Sequence, residues 1–335
     1  CPMKKLRVFQ TVENRRIASR FPLRNLGTIL LLLLVIPYLI TFLFGNLEES
    51  SAGAVVETVA VKNENAEGSI YVRNVTVLGN EKIPLEIYVA DKLARSIESS
   101  CEMEAIKAQA VLIRSGLLAA EESVGNEKEI CVEDEEYGNV PIPERIWQAV
   151  SESAGVCIMW QDKPVSAPYF VVSNGTTRNG EELLPGKYPY LKSVACSRDF
   201  LSKDFMSSAS YEESEFEKIW KQIPETYPPK EETEKLTPKE ELEGIKIYRD
   251  STGYVLYLKW NEKWVSGEAF REAFLLSSSS FHMEKEGTFI IFSVKGSGHG
   301  IGMSQFAANE MAKEEKDYVD ILNYFFDQVT ITKFE

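Results

Sequence analysis

Histidine is almost missing from this chain: 335 residues contain two, His282 and His299. Cysteine is sparse as well, at five residues, with no Cys-x-x-Cys pair and no histidine beside a cysteine. A closed zinc site is therefore not expected, and no metal or other cofactor is implied. Internal repeats are absent. Positive charge is scarce beyond residue 24. The first 24 residues hold seven basic side chains against Glu13 alone, a net of +6, so the rest carries −20 of the formal −14 total. A surface that acidic argues against nucleic acid as a partner. Hydrophobic content of 44% and charged content of 26% exclude wholesale disorder.

Only one long uncharged run exists, residues 25–47, containing LGTILLLLLVIPYLITFLFG. As a helix it would be about 34 Å long, enough to cross a bilayer core. The basic flank precedes it, so residues 1–24 are expected in the cytoplasm and the main domain outside, on a single-pass membrane anchor. The run is longer than a usual signal-peptide core, which favours an uncleaved anchor. Residues 48–68 read as an acidic juxtamembrane stalk. The extracytoplasmic domain then covers residues 69–335. In it, Cys101, Cys131, Cys157 and Cys196 allow three pairings, with small buried thiols or one disulfide both open.

SIYVRNVTVL alternates like a strand. From Leu85 the period becomes helical, with Val89, Leu93 and Ile97 on one face. Ser99 with Glu102 forms a capping-box pattern for a second helix, marked by Ile106, Ala110, Ile113 and Leu117. Pro143 opens a further helix that Gly155 closes. VCIMW and APYFVV are strand-like, as are IKIYRD, YVLYLKW and TFIIFSV. Residues 223–244, rich in Pro, Glu and Lys, read as a polar excursion. YVDILNYFF is a final helix with Tyr318, Ile321, Leu322 and Phe325 inward. Helices early and strands late indicate an α+β fold bearing a groove.

Three separated stretches carry the chemistry: IPLEIYVADKLARSIESSCEMEAIKAQAVLIRSG, then YFVVSNGTTRN with PYLKSV, then GEAFREAFLLSSSSF leading into GSGHGIGMSQFAANEMAK. In order and spacing they resemble the stage II sporulation protein D family. The AIKAQAV helix and the GHGIGMSQ loop are the specific parts. The resemblance implies a membrane-anchored protein acting on peptidoglycan during forespore engulfment, with lytic transglycosylase activity. In that chemistry one carboxylic acid protonates the glycosidic oxygen, then acts as base while the muramyl 6-hydroxyl closes on the anomeric carbon. No second carboxylate is needed, unlike ordinary glycoside hydrolysis.

The family's acid is a glutamate on the first helix, and that position here is Ser96. A serine hydroxyl cannot act as an acid near neutral pH. Glu98 is the possible substitute, but two residues along a helix is about 200° of rotation, so it reaches the cleft only if the helix breaks at Ile97. The family's metal-site residues are also missing: no histidine lies near Cys131 in the sequence. By resemblance, His299 lies in a loop lining the glycan cleft, with Ser304 and Gln305 able to bond sugar hydroxyls or N-acetyl groups. Lys107, Gln109, Arg114, Ser173 and Thr177 complete the substrate-binding candidates. For Lys107 and Arg114, a surface lysine and a structural arginine–carboxylate pair remain open alternatives. His282 reads as an ordinary strand or surface residue.

Two readings follow inside the family. One is a divergent glycan-strand-binding protein with lost or weakened cleavage, partnered by a peptidoglycan amidase or another engulfment protein. The other is an active lytic transglycosylase using Glu98. An extracellular adhesion domain with no glycan chemistry is the alternative outside it.

Overall fold

Pro84 fixes its own φ and lacks an N–H, so the chain leaves a short strand and enters a helix at Leu85 without losing a bond. In the computed structural model that shows this, residues 70–74, 82–120, 122–124, 127–183, 186–229 and 236–334 are described. All fall in the unit Ala54–Glu335. The proposed tail, anchor and stalk lie outside the described residues. Among those described, no helix is long and apolar enough to cross a membrane.

The described chain is mixed α and β, as the α+β expectation requires. Strand β1 (Tyr71–Asn74) lies between β2 (Lys82–Pro84) and β4 (Glu127–Val132), and β3 (Glu122–Val124) extends the sheet beyond β4. Helix α1 (Leu85–Ser96) follows β2, and α2 (Met103–Ala119) follows α1. Apolar residues recur all round α2, which is why it is the central helix. Its Ile106, Ala110, Ile113 and Leu117 pack on α1 and on α3 (Glu144–Glu152), as the helical spacing predicts. Ala105, Ala108, Val111 and Leu112 face a second cluster containing Ile158 of β5 (Val156–Trp160) and Ile321, Leu322 and Phe325. The α2 cap differs from expectation. Glu102, not Ser99, holds the N-cap position, without a side-chain cap. Its N–H is taken instead by the distant Asn309 Oδ1 at 2.7 Å, so a tertiary contact does the work of the capping box.

Beyond β6 (Lys163–Pro164), β7 (Tyr169–Phe170) and the one-turn α4 (Gly180–Leu183), the chain builds a strand-rich lobe. It comprises β8 (Met206–Glu212), α5 (Glu213–Gln222), β9 (Glu240–Leu242), β10 (Ile245–Arg249), β11 (Val255–Trp260), β12 (Lys263–Ser266), α6 (Gly267–Ala273), β13 (Phe281–Glu286) and β14 (Phe289–Lys295). Two sheets, ordered β12-β11-β10-β9 and β13-β14-β8, enclose an aromatic core around Phe216, Phe270, Phe274 and Phe292. The polar excursion is shorter than its composition suggested. Ile223 is buried, Thr226 N–H donates to the Trp264 carbonyl at 2.9 Å, and Glu240–Leu242 pairs as an edge strand.

The glycine-rich stretch returns the chain to the helical half as β15 (Met303–Ser304), α7 (Gln305–Lys313) and α8 (Tyr318–Phe325), ending in β16 (Thr330–Lys333). Strand β15 pairs in parallel with β7. The glycines ahead of β15 have left-handed φ, +107° at Gly298 and +82° at Gly302. A Cβ at Gly298 would lie 2.7 Å from Phe170 Cβ, and one at Gly302 would overlap the Pro168 carbonyl oxygen. Close approach to residues 168–170 of the same chain explains both positions.

Candidate functional site

The hydroxyl of Ser96 bonds back to the Lys92 carbonyl at 2.8 Å, one turn earlier, and α1 ends there. Ile97 is extended, with φ −141° and ψ 146°. Ser96 Oγ accepts from Gln109 Nε2 at 2.8 Å, and Gln109 is fully buried. Gln305 Nε2 donates both to Gln109 Oε1 at 2.7 Å and to the Ser96 carbonyl at 2.6 Å. One residue from each of α1, α2 and α7 thus closes a hydrogen-bonded circuit. The Tyr169 phenol joins it beside Ser96 and Gln109, and burial pushes its pKa up, keeping it protonated.

This circuit lies at a groove of about 950 Å³ whose lining includes Ser96, Glu98, Lys203, Gln305, Asn309 and Lys313. Because the helix has already ended, the 200° rotation does not apply to Glu98, and the residue lines the same groove as Ser96. Glu98 is exposed and accepts from Ser100 Oγ at 3.2 Å. Arg95 also lines the groove, but its guanidinium is neutralised by Asp91 at 2.7 Å and Asp134 at 2.6 Å. The groove therefore offers an exposed carboxylate, amide and hydroxyl donors, and apolar patches at Ile97, Val171 and Phe306.

Several sequence candidates stand elsewhere. Arg114 is fully buried, bidentate to Glu86 at 2.7 and 2.6 Å and bonded to the Val156 carbonyl, so of its two open readings the structural pair holds. Lys107 pairs with Glu104 and with Glu152 at 3.1 Å, outside the groove. Ser173 and Ser304 are wholly buried on Asp199: the Ser173 N–H donates at 2.7 Å and Ser304 Oγ at 2.8 Å. Ser304 also caps α7 by accepting from Ala307 N–H. Thr177, likewise buried, spends its hydroxyl on the Lys192 carbonyl and Val194 N–H. Their bonds are internal because the loops they hold carry many backbone groups that need partners.

His299 is not among the residues lining the groove. Its Nδ1 accepts from Ile301 N–H at 3.1 Å, its ring lies 5.6 Å from Phe170, and burial pushes its pKa below the usual 6.5. His282 is an exposed strand residue, 3.3 Å from Glu240. Three contributors escaped the sequence reading. Asn309 was findable, since Gln305, Asn309 and Lys313 follow at intervals of four and share a helix face. Tyr169, set within a strand-like run, and Asp199, whose partners come from two distant segments, gave no such signal. Cys101, Cys131, Cys157 and Cys196 form no disulfide. Among the described residues no three His, Cys, Asp or Glu side chains gather to hold a metal ion.

Residues 74–160 match the family model described as Stage II sporulation protein. Stage II sporulation protein D of Bacillus subtilis (strain 168) is 28% identical over 343 residues, covering 92% of this chain and 95% of the relative. The protein of the same name in Bacillus amyloliquefaciens is 29% identical over 273 residues, 76% of this chain and 75% of the relative. An uncharacterized protein of Brachyspira hyodysenteriae is 26% identical over 273 residues, 78% of this chain. The matched segment runs from Asn74 through α1, α2, α3 and β5 and includes the end of α1 and the turn after it, which line the groove; with these relatives it supports the resemblance to the stage II sporulation protein D family.

Proposed function

We propose that this chain binds peptidoglycan glycan strands from a single-pass membrane anchor during sporulation, with its lytic transglycosylase activity lost or weakened. The family resemblance implies a sporulation-related cell-wall function. The observation that carries the finer reading is Ser96. At the position the resemblance assigns to the acid stands a hydroxyl already bonded to the Lys92 carbonyl and Gln109 Nε2. It has no proton to give near neutral pH, while the surrounding donors and apolar patches can still hold a sugar chain. Residues 1–24 lie in the cytoplasm and the groove outside, where a peptidoglycan amidase or another engulfment protein is the fitting partner.

The full chain in detergent should pull down purified glycan strands and release no 1,6-anhydromuramyl products by mass spectrometry. A second reading is favoured by one observation, that the break after Ser96 leaves Glu98 on the same groove. Anhydro products from the wild type that vanish in Glu98→Gln would establish that reading and sink the first. Protease added to intact protoplasts should digest the large domain and spare an N-terminal tag; the reverse pattern would overturn the orientation.

A further inference from the structure

Asn309 lies one turn beyond Gln305 on α7 and lines the groove. Its Oδ1 accepts the 2.7 Å hydrogen bond from Glu102 N–H. A backbone amide can only donate, so this bond settles which end of the side chain is oxygen. Nδ2 is the remaining end, and among the described residues it has no protein acceptor. A half-buried amide donor clamped at its far end, on a residue that lines a cavity, is preorganised for an acceptor on a ligand. Phe306, Ile97 and Val171 line the same groove and supply apolar surface, with Phe306 N–H bonded to the Val171 carbonyl at 3.1 Å.

A donor and an apolar patch on one groove match a group that has a carbonyl oxygen and a methyl. We propose that Asn309 is a specificity-determining residue that reads the acetamido group of an N-acetylated sugar. Nδ2 donates to the acetamido carbonyl, while the methyl rests on the apolar lining. A sugar bearing a hydroxyl in place of the acetamido group would leave that lining wet and lose the contact. The inference rests on the glycan-binding reading and names the group that reading recognises.

The test uses the full chain in detergent, titrated with a β-1,4 oligomer of N-acetylglucosamine and with cellohexaose, which has the same linkage, no acetamido groups and no charge. The wild type should bind the acetylated oligomer at least about tenfold more tightly. Asn309→Asp keeps an oxygen for Glu102 N–H but replaces the donor with an acceptor. It should lose about tenfold toward the acetylated oligomer, leave cellohexaose affinity unchanged, and hold Tm within about 2 °C. Glycan binding with unchanged affinity in Asn309→Asp would overturn the inference and leave the glycan reading intact. Equal affinity of the wild type for the two oligomers would also overturn it, without any variant. Binding of neither oligomer would remove the glycan reading, and this inference with it.

Discussion

The side-chain amides of Gln109 and Gln305 meet end to end, 2.7 Å apart across 196 residues of sequence. Both amides are engaged further: Gln109 also donates to Ser96 Oγ, and Gln305 also donates to the Ser96 carbonyl. An amide buried as fully as Gln109 is costly unless it is matched, so the circuit fixes where α7 docks on α1 and α2. Gln109→Leu strands the donor of Gln305 and an acceptor on Ser96. We expect a loss of about 1–3 kcal/mol, read from the urea midpoint. A double-mutant cycle with Gln305→Leu should show coupling of about 1 kcal/mol, and strictly additive costs would refute the shared circuit.

His299 sets a pH dependence with a definite sign. Burial depresses its pKa in the folded protein; nearby Glu268 opposes this, and Arg178 and Arg271 reinforce it. The unfolded chain, with its histidine near 6.5, then binds the proton more readily than the folded one. Stability from this group is full above that value and is lost as pH falls through it toward the folded pKa. Calorimetry should show Tm dropping as pH falls below about 6.5. His299→Asn, which keeps an acceptor for Ile301 N–H, should flatten that drop. An equally steep profile in the variant would assign the slope to other groups.

Arg114 tests scaffold against ligand contact. Its guanidinium is buried with Glu86, which also accepts from Gly155 N–H at 3.1 Å. Arg114→Met leaves the carboxylate buried without its cation and should cost about 3–5 kcal/mol. Adding Glu86→Leu should recover part of that loss. Full stability in Arg114→Met, combined with weakened glycan binding, would return the arginine to the binding site.

Gly302→Ala places a methyl against the Pro168 carbonyl at a φ of +82°. The backbone must shift, breaking the pairing of β15 with β7 that carries the chain into α7. We expect a loss of more than about 2 kcal/mol, seen as a lowered thermal midpoint. The same change at Gly287, with nothing within 4 Å, meets only the strain of its positive φ and should cost less. Equal costs at the two positions would mean that crowding at Pro168 is not what demands glycine.

Local pattern made much of the fold legible. The spacing of Ile106, Ala110, Ile113 and Leu117 located the buried face of α2, and the run ending in Phe325 located α8, because a helix repeats its facing every few residues. Strands β5, β10, β11 and β14 were legible from their β-branched and aromatic runs. The family resemblance was also carried by sequence, since AIKAQAV and GHGIGMSQ are contiguous words. What sequence could not decide is where side chains from different words meet. Gln109 and Gln305 read as separate sugar-binding candidates, yet they bond to each other beneath Ser96. Arg114 and Ser304 looked equally available and are spent on internal partners. Glu98 moved from the far side of a helix to the groove because α1 ends at Ser96 and Ile97 is extended. The outcomes at Gln109, Arg114 and Ser304 rest on a donor finding an acceptor far away along the chain, and that choice is made only when the packed core fixes which ends come within 3 Å.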